Sequence, residues 1–113
     1  MIIPRTLLYT KEHIWIGLTN NEAKVGITDF VQAQLGDIVY VDIKTVGKSL
    51  KQNEVFGKIE SVGKTLDLFL PVSGEILEVN PKIITKPELI NISPYFDGWI
   101  VRIKMHNLLE RDY

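Results

Sequence analysis

The chain has 113 residues, 45% of them hydrophobic and 24% charged, enough for one compact domain that buries roughly two-thirds of its unfolded surface. Thirteen Lys and Arg against fourteen Asp and Glu leave a net charge of -1, which gives no electrostatic footprint for nucleic acid or an anionic membrane. No cysteine is present, so disulfides, thiolate nucleophiles and thiolate metal sites are excluded together, and any redox chemistry has to come from a cofactor.

At the N-terminus Pro4 and Arg5 interrupt the apolar residues before a signal-peptide core forms, and no run approaches membrane-spanning length. The expectation is a cytoplasmic protein, or one of the mitochondrial matrix if a transit peptide has been removed. Residues 13–19 alternate, with Ile14, Ile16 and Leu18 on one face and Trp15 on the other, which predicts a half-buried strand. Thr19, Asn20, Asn21 and Glu22 then predict a hairpin turn into a second strand over 23–27. Thr28 offers a cap and Gly36 a stop for a helix of about two turns between them. Residues 37–43 read as a strand with Val39, Val41 and Ile43 on one face and Ile38 and Tyr40 on the other.

Beyond a turn at Val46, Gly47, Lys48 and Ser49 lie two apolar runs, 55–62 and 66–70, the second limited by Pro71. Residues 72–79 carry the sheet on to a turn at Asn80 and Pro81. Residues 86–90 predict one helical turn with Pro87 at its first position, and 99–103 a last strand after a loop. Many short strands divided by turns argue a mainly β fold, a small sandwich or barrel with a few short helices. A single domain is expected over 1–113, with a short tail from about residue 105 in which Leu108 and Leu109 dock a helical turn.

The segment Glu60, Ser61, Val62, Gly63, Lys64, Thr65, Leu66, Asp67 joins the two apolar runs. With Val62 and Thr65 as the last paired residues, Gly63 and Lys64 form a two-residue loop of type II′ composition, and Lys64 stands at the tip. A solvated ammonium there has no reason to act as a bare-amine base, so the use it suggests is acylation; the plain alternative is a soluble turn residue. Gly63, Lys64 and Thr65 also echo the end of a phosphate-binding loop. That motif needs four residues between its glycines and a helix after them, whereas Gly57 and Gly63 enclose five residues and a strand follows. Nucleotide hydrolysis is rejected on that ground, and absence of nucleotide binding in calorimetry is the check.

Several segments together resemble the H proteins of the glycine cleavage system: residues 9–15 (Tyr9 to Trp15), 25–30 with Thr28, Asp29 and Phe30, 34–41, 60–62, 71–75, 87–91, and Ser93, Pro94, Tyr95 with Asp97, Gly98 and Trp99. The resemblance runs from Pro4 to Lys104. It implies a flattened β barrel of the biotinyl/lipoyl carrier type, a barrel-sandwich hybrid of two antiparallel sheets with a modified lysine on a hairpin. It also implies a non-catalytic carrier whose covalent lipoate, in swinging-arm fashion, moves the methylamine group of glycine. The implied partners are a pyridoxal-phosphate glycine decarboxylase, a folate-dependent aminomethyltransferase and an FAD-containing dihydrolipoyl dehydrogenase, with a lipoate ligase or transferase to load the arm. Such a carrier is expected to work as a monomer.

Two departures qualify the resemblance. The family's lipoyl lysine directly follows the Glu-Ser-Val segment, a position held here by Gly63, so Lys64 becomes the attachment candidate with Asp67 and Pro71 still in register. Ile14 stands where the family usually has a glutamate that shelters the methylamine-loaded arm, and Glu12, two residues back on a presumed strand, shares its face. Glu12 and His13 are therefore arm-cleft candidates, and Glu60, Ser61, Val62 and Asp67 candidates for ligase or partner recognition. His13 and His106 lack a third clustered ligand and make no metal site. Trp15 and Trp99 read as core before cleft. Two other readings stay open: a lipoyl carrier for another acyl or sulfur transfer, which Ile14 favours, and an unlipoylated interaction module, which Gly63 favours.

Overall fold

The computed structural model describes residues 7–106. Nine strands and three short helices follow in the order β1 (Leu8–Tyr9), β2 (Ile14–Thr19), β3 (Glu22–Ile27), α1 (Asp29–Leu35), β4 (Ile38–Asp42), β5 (Ser49–Leu50), β6 (Val55–Ser61), β7 (Lys64–Phe69), β8 (Gly74–Val79), α2 (Pro81–Thr85), α3 (Leu89–Ile92) and β9 (Val101–Met105). They form a six-stranded sheet, β1-β2-β3-β9-β8-β5, and a three-stranded sheet, β4-β6-β7, with every pairing antiparallel. Ile16, Val25, Ile76 and Ile103 of the larger sheet meet Ile38, Val41, Ile59 and Leu68 of the smaller in one buried cluster. Each fully buried aliphatic side chain there contributes roughly 1.5–3 kcal/mol. This is the expected mainly β sandwich.

Local chemistry sets the elements. Thr19 faces Glu22 across a two-residue loop in which Asn20 takes φ 56°, a left-handed value that Asn tolerates. Thr28 Oγ1 accepts from Val31 N at 3.4 Å and caps α1, and Gly36 ends the helix at φ 80°. Trp15 is buried on the face of β2 opposite Ile14 and Ile16 because the loop of residues 93–99 covers it. Its Nε1 donates to Pro94 O at 2.9 Å, and its ring fills the space over Gly26, where a Cβ would lie 2.6 Å from the indole. Both faces of β2 are therefore in the interior at that point.

Four sequence expectations need correction. A bulge between Ile38 and Tyr40 breaks the alternation of β4, so Ile38 and Val41 face the core while Val39 and Tyr40 are exposed. Asn80 and Pro81 begin a helix, α2, where only a turn was expected. The signal was in the sequence: Pro81 stands at the first helical position and Asn80 Oδ1 accepts from Lys82 N at 3.0 Å. The following helix starts at Leu89, with Pro87 before it rather than inside it, and the last strand starts at Val101 rather than Trp99. The expected docking of Leu108 and Leu109 lies outside the described residues.

Asn80 does more than cap. At 1% exposure, its Nδ2 donates to Asp97 O and Trp99 O, both at 2.8 Å, and so ties α2 to the 93–99 loop. Asn80→Ala removes a cap and leaves two backbone acceptors short of a donor, each loss worth about 1 kcal/mol or more. The expected outcome is a stability loss of about 3 kcal/mol in urea denaturation; a loss below about 1 kcal/mol contradicts this reading.

Candidate functional site

The β6–β7 hairpin closes differently from the sequence expectation. Ser61 pairs with Lys64, so the two loop residues are Val62 and Gly63, and Lys64 opens strand β7. Gly63 takes φ 82° and Val62 a negative φ, the φ pattern of a type II turn, which places glycine second. Val62 is 78% exposed at the tip, and nothing lies within 4 Å of where a Gly63 Cβ would be. Gly63, where the resemblance expects the lipoyl lysine, is thus the second tip residue, and Lys64 stands one step past it, in the strand.

Side chains alternate along β7, so Lys64, Leu66 and Leu68 share one face and Thr65, Asp67 and Phe69 the other. Leu68 is fully buried and Leu66 half-buried, so the Lys64 face is the core-side face, continued beyond the core's edge. There the exposed Lys64 Nζ donates to Gln34 O at 3.1 Å. That carbonyl belongs to the last turn of α1, whose carbonyls lack helical partners and attract cations. A second clamp holds the same helix end. Asn91 Nδ2 donates to Gly36 O at 2.8 Å and to Gln32 Oε1 at 3.0 Å, while its Oδ1 accepts from Ile38 N at 2.9 Å. Sequence reading missed the Lys64–Gln34 contact because the partners are thirty positions apart and nothing local marks them.

The recognition candidates divide between the hairpin's two faces. Ser61 lies across from Lys64 on the core side, 6% exposed, and its Oγ is the one buried side-chain polar atom without a hydrogen-bond partner among the described residues. Glu60 and Asp67 lie on the outer face. Lys58, the only other lysine nearby on the hairpin, faces outward mid-strand between Asp42 and Asp67 in the ladder, with Nζ 3.9 Å from Glu60 Oε1. Lys64 is therefore the lysine that adjoins the tip.

Glu12 and His13 do not come together. Residues 10–13 form a turn closed by His13 N to Thr10 O at 3.1 Å and Ile14 N to Thr10 Oγ1 at 3.2 Å, with His13 at φ 60°. Strand alternation therefore starts only at Ile14, and the expectation that residues 12 and 14 share a face fails. Ile14 is buried in the core at 4% exposure, whereas Glu12 is exposed. Glu12 lines a concavity of about 630 Å³ with Gln52, Asn53, Phe69, Leu70 and Pro71 among others. His13 lines another, of about 590 Å³, with Tyr9, Thr28, Asp29, Phe30 and Tyr95. Trp99 is half-buried, with Lys24 Nζ 5.0 Å from its ring centroid, and belongs to neither.

Comparison with known proteins places this geometry. The family model described as glycine cleavage H-protein matches residues 7–112. The glycine cleavage system H protein of Bacteroides fragilis is 51% identical over 112 residues, covering 99% of this chain and 89% of that protein. The one from Symbiobacterium thermophilum is 50% identical over 110 residues, covering 97% and 86%. A crystal structure of a glycine cleavage system H protein from Mycobacterium marinum superposes with a TM-score of 0.87 at 34% identity, covering 92% of this chain and 87% of that one.

The turn assignment carries a measurable consequence. A side chain at Gly63 meets no steric neighbour but has to hold a left-handed φ, which costs about 1–2 kcal/mol. Gly63→Ala is expected to lower stability by about 1 kcal/mol with no change in core packing. An unchanged denaturation midpoint contradicts a left-handed residue 63.

Proposed function

The chain belongs to the glycine cleavage H-protein family, and from that membership we propose that it is a lipoyl carrier whose arm is attached at Lys64 rather than at the family's position 63. The observation that carries the attachment is the hairpin register: Lys64 is exposed, adjoins the tip and leaves the strand at its first residue. Lipoate supplies, when bound, the dithiol and disulfide chemistry that a chain without cysteine cannot provide.

The remaining work is done by the chain's own residues. Lys64 in the amide form has no ammonium charge, so its attraction for the carbonyl end of α1 weakens, although the amide N–H can still donate to Gln34 O. The side chain starts from the core-side face, beside the last turn of α1. Glu60 and Asp67 stand on the opposite face, where a loading enzyme or partner reads the hairpin from the side away from the Lys64 side chain. Ile14, packed into the core, offers no carboxylate to a cationic load. The partners under this reading are the pyridoxal-phosphate decarboxylase, the folate-dependent aminomethyltransferase, the flavin dehydrogenase and a lipoate ligase. The compartment proposed with this reading is the cytoplasm, or the mitochondrial matrix if a transit peptide has been removed, and the absence of cysteine is compatible with either.

Co-expression with a lipoate ligase, followed by intact mass and peptide mapping, tests the assignment. The expected result is a lipoyl adduct on Lys64 of the wild type, none in Lys64→Arg, and glycine–bicarbonate exchange with the decarboxylase for the wild type alone. An unmodified wild-type chain, beside a modified Gly63→Lys variant in the same cells, overturns Lys64 as the attachment site.

A further inference from the structure

The concavity at the start of α1 shares no lining residue with the hairpin, and three of its six lining residues are aromatic rings of Tyr or Phe. Aromatic rings reach it from three separate parts of the chain: Tyr9 from β1, Phe30 from α1, and Tyr95 from the loop before β9. His13 adds an imidazole whose centroid lies 4.7 Å from that of Phe30, tilted by 38°. The walls are held in place. Tyr95 is 5% exposed, and its hydroxyl accepts from Asp29 N at 2.9 Å. Burial and the neighbouring Tyr95 both push the Tyr9 hydroxyl above its ordinary pKa, so it is neutral at physiological pH.

Core packing explains Tyr95 but not Phe30. That ring is 56% exposed, while Val31 and Leu35 of the same helix pack against the buried cluster. Phe30 therefore presents an aromatic face to solvent beside the His13 ring. The charge of the lining decides what it recognises: Asp29 contributes a carboxylate, one oxygen of which is held by Gln32 Nε2 at 2.7 Å, and among the described residues no lysine or arginine lines the concavity. Aromatic faces beside a carboxylate attract cations, by about 0.5–2 kcal/mol for each favourable ring contact. A volume of about 590 Å³ accommodates a long side chain but is open to solvent rather than sealed.

We propose that this concavity is a docking pocket for a cationic side chain, an arginine or lysine, presented by a partner protein. The nature of the partner rests on the carrier reading, since a carrier gripped on this face keeps its hairpin free to deliver the arm. The pocket itself does not depend on Lys64.

The test is a titration of the full-length, 15N-labelled chain followed by NMR, with N-acetyl-arginine methylamide as the cationic probe and the neutral citrulline analogue as its control. Saturable shifts centred on Thr28, Asp29 and Phe30 are expected, with the arginine probe binding at least about fivefold more tightly than the citrulline one. Phe30→Leu, at an exposed position, and Asp29→Asn are each expected to weaken the arginine probe by about threefold or more. Lys64→Arg, which carries no arm, binds it as the wild type does, so a failure of lipoylation leaves this result intact. Absence of saturable shifts, equal affinity for the two probes, or full affinity in both pocket variants overturns the proposal.

Discussion

The pairing register of β6 with β7 is the constraint on which the functional reading depends. Because Ser61 is opposite Lys64, only Val62 and Gly63 are left to turn the chain, and glycine falls at the position that needs a left-handed φ. A slip of one residue would flip every side chain of β7 to the other face. Leu66 and Leu68 would leave the core and Asp67 would enter it, at a cost of several kcal/mol. The hydrophobic pattern of β7 therefore locks the register, and the register fixes which lysine face is offered to α1. The proposed attachment at Lys64 thus rests on packing at the far end of the same strand.

Around that hairpin the fold supplies fixed points rather than moving parts. Asn91 and Lys64 grip the end of α1 from two sides, Asn80 ties α2 to the run into β9, and Trp15 anchors the 93–99 loop through Pro94 O. Each is a polar group spent on backbone partners, which is how buried or half-buried polar side chains are normally satisfied. Ser61 Oγ is the exception among the described residues, and it lies directly across the ladder from Lys64. On the outer face of the larger sheet, Arg102 reaches Glu22 at 2.6 Å and Glu78 at 3.0 Å, which raises its pKa further. Partly exposed pairs of this sort contribute little stability, and this one aligns β3, β9 and β8 more than it binds them.

Much of the fold was legible because periodicity and caps are local. The β2–β3 hairpin, the Thr28 cap, the Gly36 stop and the mainly β class were all readable from residues a few positions apart, whereas the two antiparallel sheets came from the resemblance. What was not legible involved either an irregularity or a distant partner. The bulge in β4 leaves no mark in a run of Ile, Val, Tyr and Val, all good strand formers. The turn at residues 10–13 hid the fact that Glu12 and Ile14 belong to different elements, because alternation assumes an unbroken strand. At the tip, composition alone suits glycine either first or second in the turn, and only the pairing of Ser61 with Lys64 chooses between them. The aromatic concavity was present in the sequence as three separate motifs, with nothing to say that they converge.

The most direct test is the register itself, read from interstrand nuclear Overhauser effects in the hairpin of the unmodified protein. The account predicts a close amide–amide contact between Ser61 and Lys64, continued by Ile59 with Leu66. A contact between Val62 and Thr65 in its place would return Lys64 to the turn and contradict the account.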